Sequence, residues 1–411
     1  MKHVLFISYH FPPLATGGVF RSLNFAKHLP VFGWSPTVLT VANSLSWSRD
    51  DSLIKSLPKN IKIIRAKEFS LLLFHILFSK LGLGKLYDIL EKKLAIPDKN
   101  IGWLPLAFIK GKKELKKRKY DLIFSTSPTV CAHILGLRLS QKFNIPWVCE
   151  FRDLWTIQPH YPFNGSKRGN KETTLEGRFL LKSDKIVVVT KTFKREFIRN
   201  YPNLLSDKIE VIYNGFEQLS PIGYSKNKRF TIAYTGSMYG QYYPKQLYEA
   251  LDKLIDKFPE VHFHLLFIGN VEKQIIDEIT RYSSVSTEFI PFLPKRELPE
   301  ILERAAALLV FQLGKYSSVP SKVFEYLSYQ KPILAIVPDD ELREIVRLTG
   351  MGYCADPNNI QEIQNELVRL YNDWEQNKLP KPQNIKVLDK FLRRNQTKQL
   401  AKLFNETLHS Q

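Results

Sequence analysis

The chain has 411 residues, more than a single hydrophobic core of ordinary size organises and enough for two domains of about 200 residues. Hydrophobic residues make up 44% and charged residues 24%, an ordinary globular balance that makes disorder not the default reading. The three cysteines, Cys131, Cys149 and Cys354, form no CxxC pair, which argues against a disulfide framework or structural zinc and fits a reducing compartment. A formal net charge of +20 attracts polyanions, whether nucleic acid, anionic lipid or phosphorylated substrate, and does not choose among them.

The apolar run His3 to Ser8 reads as a buried first strand; Gly17-Gly18 follows it where a signal peptide would carry a small-residue cleavage site. A loop with Pro12 and Pro13 leads to a helical pattern (Val19, Leu23, Phe25, Leu29), Gly33 ends it, and Pro36 to Val41 is a second strand. This is a βαβ unit of a parallel sheet, and it recurs at Asp121–Ser125, Pro146–Phe151, Lys185–Thr190 and Ile209–Tyr213. The polar stretch Glu217–Lys228 reads as a linker. A second series follows, with strands at Phe230, Phe263–Gly269, Phe289–Phe292, Ala306–Phe311, Ile333–Val337 and Gly352–Ala355. Val387–Leu408 has an amphipathic helical pattern and no strand after it.

No stretch approaches the roughly 20 apolar residues of a spanning helix. The basic run Lys110–Lys119 falls on a helical pattern and reads either as a solvated face or as a contact for anionic lipid. Phe69–Leu94 mixes Leu, Phe and Ile with lysines, as a core helix pair or an interfacial amphipathic element would.

Four places carry candidate chemistry. Gly17-Gly18, between a strand and a helix, lets backbone approach a ligand at the anion-favouring end of that helix, and Arg21 lies one turn in. Arg152-Asp153-Leu154-Trp155 follows a buried strand, where open α/β sheets bind ligands; Arg152 and Asp153 could position a sugar hydroxyl or a phosphate, or pair with each other. Gly236 and Ser237 follow the first strand of the second series and could offer N–H groups to a phosphate. Pro320 and Ser321 look like a helix start, with Ser321 and Lys322 at its positive end for a diphosphate and Glu325 a turn further in for vicinal ribose hydroxyls.

In order and spacing these motifs resemble the GT-B glycosyltransferases, specifically the retaining group of family 4, over nearly the whole chain. The likeness runs from Phe11-Pro12-Pro13, Gly17-Gly18 and Arg21 through Arg152–Trp155 and Val211–Phe216 to Tyr234-Thr235-Gly236 and Pro320-Ser321-Lys322…Glu325-Tyr326-Leu327. Similar proteins often build bacterial surface polysaccharides. The resemblance implies an α/β fold of two Rossmann-like doubly wound domains facing across a cleft. Residues 1–216, with a crossover helix 387–411, would bind the acceptor, 217–228 would link, and 229–386 would bind the donor. Gly17, Gly18, Gly236, Ser237, Pro320, Ser321, Lys322, Glu325 and Phe292 fall to the donor, His10 and Arg21 to the acceptor, and Arg152, Asp153 and Lys322 to catalysis. The donor would be a UDP- or GDP-linked sugar and the acceptor a glycan or lipid-linked hydroxyl. No metal and no tightly bound cofactor are implied, and the departing phosphate itself could take the acceptor proton. Charge and family habit together suggest a cytoplasmic protein peripheral on the inner face of an anionic membrane.

The chain departs from the family at three points. Of the usual pair of glutamates the second matches Glu325 and the first falls on Ser317. The loop where members often carry Arg and Lys reads Gly236-Ser237-Met238-Tyr239-Gly240-Gln241, and Arg152 stands where a histidine is common. Two other readings remain: a nucleotide-sugar 2-epimerase on the same scaffold, for which no acid/base set is evident, and a catalytically silent protein that binds polyanions or membranes. No nucleic-acid-binding signature is present, so nucleic acid is not an expected partner.

Overall fold

The computed structural model describes residues 1–411 except 43–48, 70–78, 83–94, 159–160, 224–228, 241, 258–261, 283, 295, 313–318, 339, 383–384 and 410–411. Ser317, Gln241, most of Phe69–Leu94 and the end of the Glu217–Lys228 segment lie outside the described residues. The chain forms two compact units, Met1–Asn214 with Arg393–Gln411, and Gly215–Leu392.

The first unit is built on a parallel sheet of β1 (Lys2–Ser8), β2 (Trp34–Val41), β3 (Lys62–Ala66), β4 (Leu122–Thr126), β5 (Trp147–Phe151), β6 (Lys185–Val188) and β7 (Ile209–Val211) in the order β3-β2-β1-β4-β5-β6-β7. The central strands are buried on both faces, which is why they read as continuous apolar runs rather than alternating ones. The strand order reverses between β1 and β4, paired with Val4 opposite Leu122 and Ser8 opposite Thr126. Ligands of such sheets bind beyond the strand C-termini at this reversal. The edge strand β3 escaped the sequence reading because Lys-Ile-Ile-Arg-Ala is only half-buried and lacks a clean apolar run.

The last helix, Arg393–His409, completes the core of this unit: Phe404 packs 5.2 Å from Trp34 and 5.5 Å from Phe124, ring centre to ring centre. The helical pattern expected over Val387–Leu408 is interrupted. Ile385–Leu388 and the 3-10 turn Asp389–Phe391 belong to the second unit, and Leu392 is extended (ψ 127°). The break is held by the Phe216 N–H, which donates to the Phe391 carbonyl (3.0 Å), a bond that an unbroken helix would claim for itself.

The second unit repeats the architecture with β8 (Phe230–Thr235), β9 (Phe263–Ile268), β10 (Ser286–Ile290), β11 (Ala307–Phe311), β12 (Ile333–Ile336) and β13 (Gly352–Ala355), all parallel, in the order β10-β9-β8-β11-β12-β13. Its reversal lies between β8 and β11. The edge strand β10 begins at Ser286, so the expected strand Phe289–Phe292 is its end plus a loop; its early residues are too polar to stand out. The helix Ser321–Tyr329 starts at Pro320 (φ −60°, ψ 138°) and stops at Gln330, which takes the left-handed conformation before Lys331-Pro332. Its terminal carbonyls are satisfied by the segment after Phe216: Ser220 N–H donates to Ser328 O and Ile222 N–H to Tyr329 O, both 2.9 Å.

Candidate functional site

In the first unit the site begins with an anchor. Glu150 stands in the apolar strand β5 and is fully buried, so it needs a cation. Arg21 supplies it from the helix Val19–His28: its Nε and Nη2 donate to Glu150 Oε1 at 2.9 and 2.8 Å, while Nη2 and Nη1 also reach the carbonyls of Ile212 and Tyr213. Thr126 at the end of β4 donates to the other carboxylate oxygen (2.6 Å). Arg21 was expected on the acceptor side. Buried and committed to three acceptors, it instead ties β5, β7 and the first helix together beneath the site.

Arg152, the first residue beyond β5, is 8% exposed. Its Nε donates to Ser127 O and its Nη1 to Gly18 O, and Nη2 is buried with no hydrogen-bond partner among the described residues. No ion pair joins it to Asp153 among the described residues, so the pairing considered from sequence does not form. Burial lowers the Arg152 pKa to about 10; Glu150 opposes that shift and Arg21 adds to it. Asp153 is exposed, yet crowding by surrounding protein raises its carboxyl pKa against the pull of Arg152. His10, buried beyond β1 with Nδ1 3.2 Å from Thr16 Oγ1, is held near pKa 4 by burial and by Arg152, so its ring is neutral.

Gly18 is the helix N-cap with φ −69°, open to any residue. Its requirement is space: a β-carbon there would sit 3.0 Å from Arg152 Nη2. Gly17 is exposed, and no described residue apart from its chain neighbours comes within 4 Å of such an atom.

In the second unit, Thr235 ends β8 and Gly236 follows with φ +139°, its N–H donating to Ile268 O (2.8 Å). The Lys322 ammonium, from the first turn of the helix Ser321–Tyr329, donates to Tyr234 Oη (2.6 Å) and lies 3.9 Å from the centre of the Tyr234 ring. Among the described residues no carboxylate pairs with it, and burial alone lowers its pKa to about 8. Tyr326 on the same helix accepts the Thr235 N–H (2.9 Å), which ties the helix to the strand end. Glu325 is partly buried, with Oε1 accepting from Tyr329 Oη (3.0 Å). Ser321 and Ser237 are exposed beside Lys322 and Gly236 in sequence, and Pro320 is half-buried. Among the described residues no group of three or more His, Cys, Asp or Glu is placed to hold a metal ion.

Two family models account for nearly all of this chain. "Glycosyltransferase Family 4" matches residues 16–217 and "Glycosyl transferases group 1" matches 216–386. The chain belongs to the GT-B glycosyltransferases. Solved structures agree in fold. A glycosyltransferase from Rickettsia africae ESF-5 is 16% identical with a TM-score of 0.63, covering 100% of this chain and 99% of that one. Sucrose-phosphate synthase from Thermosynechococcus elongatus is 15% identical at 0.62, covering 100% of both. A TarM variant of S. aureus, in complex with Fondaparinux, alpha-GlcNAc-glycerol and UDP, is 11% identical at 0.55, covering 100% and 99%. No curated protein sequence matches the chain.

The remaining assigned residue of this glycosyltransferase, Phe292, is 71% exposed in the loop after β10. Sequence reasoning missed the roles of Glu150 and Tyr234. A glutamate inside the strand Trp-Val-Cys-Glu-Phe was the available signal for the first, since a buried carboxylate demands a partner.

Proposed function

We propose that this enzyme transfers a sugar from a nucleoside diphosphate sugar to a hydroxyl acceptor, with retention at the anomeric carbon, in polysaccharide or glycolipid biosynthesis. One observation carries the donor assignment: Lys322 is a largely buried cation at a helix N-terminus, seated on an aromatic ring, with no carboxylate paired to it among the described residues. A diphosphate arriving there meets the ammonium and the unsatisfied N–H groups of the first turn, an interaction worth up to ~2 kcal/mol from the helix end alone. Ser321 opens that turn, Gly236 lies against the Lys322 ammonium with Ser237 next in the chain, Glu325 takes the ribose hydroxyls, and exposed Phe292 offers a face to the base. The UDP held by the TarM variant supports a nucleotide donor.

Arg152 and Asp153 serve the reacting sugar or the acceptor. The spare N–H groups of Arg152 Nη2 are fixed in direction by the two backbone carbonyls that hold the rest of the guanidinium. The acceptor oxygen bonds to the anomeric carbon as the bond from that carbon to the diphosphate breaks, and the proton passes to the departing phosphate. Lys322 stabilises the charge that grows there.

We also infer that the acceptor lies at an anionic membrane surface. The helix Leu104–Lys117 exposes Lys110, Lys113, Lys116 and Lys117, followed by exposed Arg118 and Lys119, while its acid, Glu114, is buried against Lys62. Ile109 is 59% exposed on that helix, and exposed Phe69 donates its N–H to Gly102 (3.2 Å) just before it. Basic residues near such a surface contribute about 1 kcal/mol each. No helix among the described residues is long and apolar enough to cross a membrane.

The test is incubation with UDP- and GDP-sugars and a lipid-linked oligosaccharide, with the product read by mass spectrometry and its anomeric coupling by NMR. An acceptor-linked sugar of the donor's configuration supports the proposal. An inverted product refutes retention, and nucleotide release with no acceptor-linked product points to the epimerase.

A further inference from the structure

Tyr234 is the last fully buried residue of β8, 1% exposed. Its ring is braced by Phe311 at 5.0 Å and Phe267 at 6.0 Å. Phe311 is in turn packed by Tyr242 at 4.8 Å, whose hydroxyl donates to the Phe311 carbonyl (2.9 Å). The phenol of Tyr234 is held neutral, its pKa raised well above the ordinary value by burial. It therefore accepts from Lys322 Nζ and turns its own proton toward the Ser237 carbonyl, 3.4 Å away. The next residues, Gly236 to Tyr242, contain no charged side chain.

Lysine is a flexible chain carrying a point charge, and it makes a precise anion site only when something fixes it. Here the ring face attracts the ammonium from one side and the phenol oxygen fixes its direction. We propose that Tyr234 is a positioning residue of the donor site, seating the Lys322 ammonium so that it meets the donor diphosphate. This rests on the donor reading of Lys322. Tyr234 touches neither the nucleotide nor the sugar; it acts through the lysine and, by way of Ser237, on the loop beside it.

The experiment is calorimetric titration of the full chain with UDP and with GDP from pH 6.5 to 9.5, for the native protein, Tyr234→Phe, Tyr234→Leu and Lys322→Ala. Tyr234→Phe keeps the ring and its packing and loses only the oxygen, so it remains informative if Tyr234→Leu fails to fold. Its affinity for the preferred nucleotide should fall roughly tenfold, the worth of one hydrogen bond to a charged group. The pH at which affinity begins to decline should also move down, because the charged lysine has lost an acceptor. A residue that only fills the core would leave that pH unmoved. Tyr234→Phe binding with native affinity and native pH dependence, beside a crippled Lys322→Ala, would overturn the inference and leave the donor site standing. Native binding by Lys322→Ala would overturn both.

Discussion

A β-carbon on Gly236 would lie 2.7 Å from the Lys322 ammonium, at a backbone φ of +139°. Sterics therefore reserve this position for glycine twice over: other residues rarely adopt the conformation, and the space belongs to the cation. Gly236→Ala should cost about 1–3 kcal/mol of stability, measured by urea unfolding, and should displace Lys322. Nucleotide affinity should fall with it. A variant of native stability and affinity would show that the turn adapts and that the contact is incidental.

Lys322 gives a pH dependence of opposite sign for folding and for binding. Its folded pKa of about 8 lies below the ordinary 10.5, so between these values the unfolded chain holds more protons and stability rises with pH. An anionic ligand favours the charged lysine, so nucleotide affinity should be flat below pH 8 and decline above it. Lys322→Met should remove both effects. It should also stabilise the protein at pH 7 by about 1 kcal/mol, since a buried charge is replaced by an apolar chain, while abolishing nucleotide binding. Denaturant midpoints and titrations at pH 7 and 9 check both signs.

The Arg21–Glu150 pair makes a structural prediction. Removing either partner strands a buried charge, so Arg21→Ala or Glu150→Ala should destabilise the first unit by about 3–5 kcal/mol in denaturant unfolding. Arg21→Lys should not restore it, because one ammonium cannot replace the guanidinium that bridges Glu150 and two carbonyls. A loss below 1 kcal/mol would place the anchor elsewhere.

Asp153 behaves differently. Because it is exposed, Asp153→Asn should change stability by less than ~0.5 kcal/mol. If it orients acceptor or sugar, turnover should fall at least about 10²-fold with nucleotide affinity unchanged. Steady-state kinetics beside a nucleotide titration separates these; a variant with native turnover removes Asp153 from the site.

Much of the fold could be read in the sequence because parallel strands buried on both faces are plain apolar runs, as in Ala307–Phe311 and Ile333–Ile336. Edge strands are not, and β3 and the start of β10 were missed for that reason. The helix bearing Lys322 and Glu325 was legible because proline marks its start and Lys331-Pro332 its end. What stayed hidden are long-range pairings. Arg21 looked like a ligand because nothing in its neighbourhood names Glu150, far along the chain, as its partner. Tyr234 stood in the sequence only as part of a Tyr-Thr-Gly motif, because the chain that sets Lys322 against it returns only after three more strands. The glycine pair Gly17-Gly18 suggested a close backbone approach to a ligand, whereas the space at Gly18 is taken by the Arg152 guanidinium.

The basic face of the helix Leu104–Lys117 predicts salt-dependent binding to vesicles rich in anionic lipid, weakened by Lys113→Glu with Lys116→Glu at unchanged stability. Sedimentation of the native chain with such vesicles at low salt checks this. If the chain stays fully in solution, the membrane assignment fails.

The central claim is that the second unit holds a nucleoside diphosphate between the start of the helix Ser321–Tyr329 and Glu325. Thermal shift with UDP, GDP and their sugar conjugates, without added metal, for the native chain and Glu325→Ala, tests it most directly. A rise in melting temperature with one nucleotide family, lost in Glu325→Ala, is the predicted result. No rise with any of these, nor with CDP or dTDP conjugates, or an equal rise in Glu325→Ala, would contradict it.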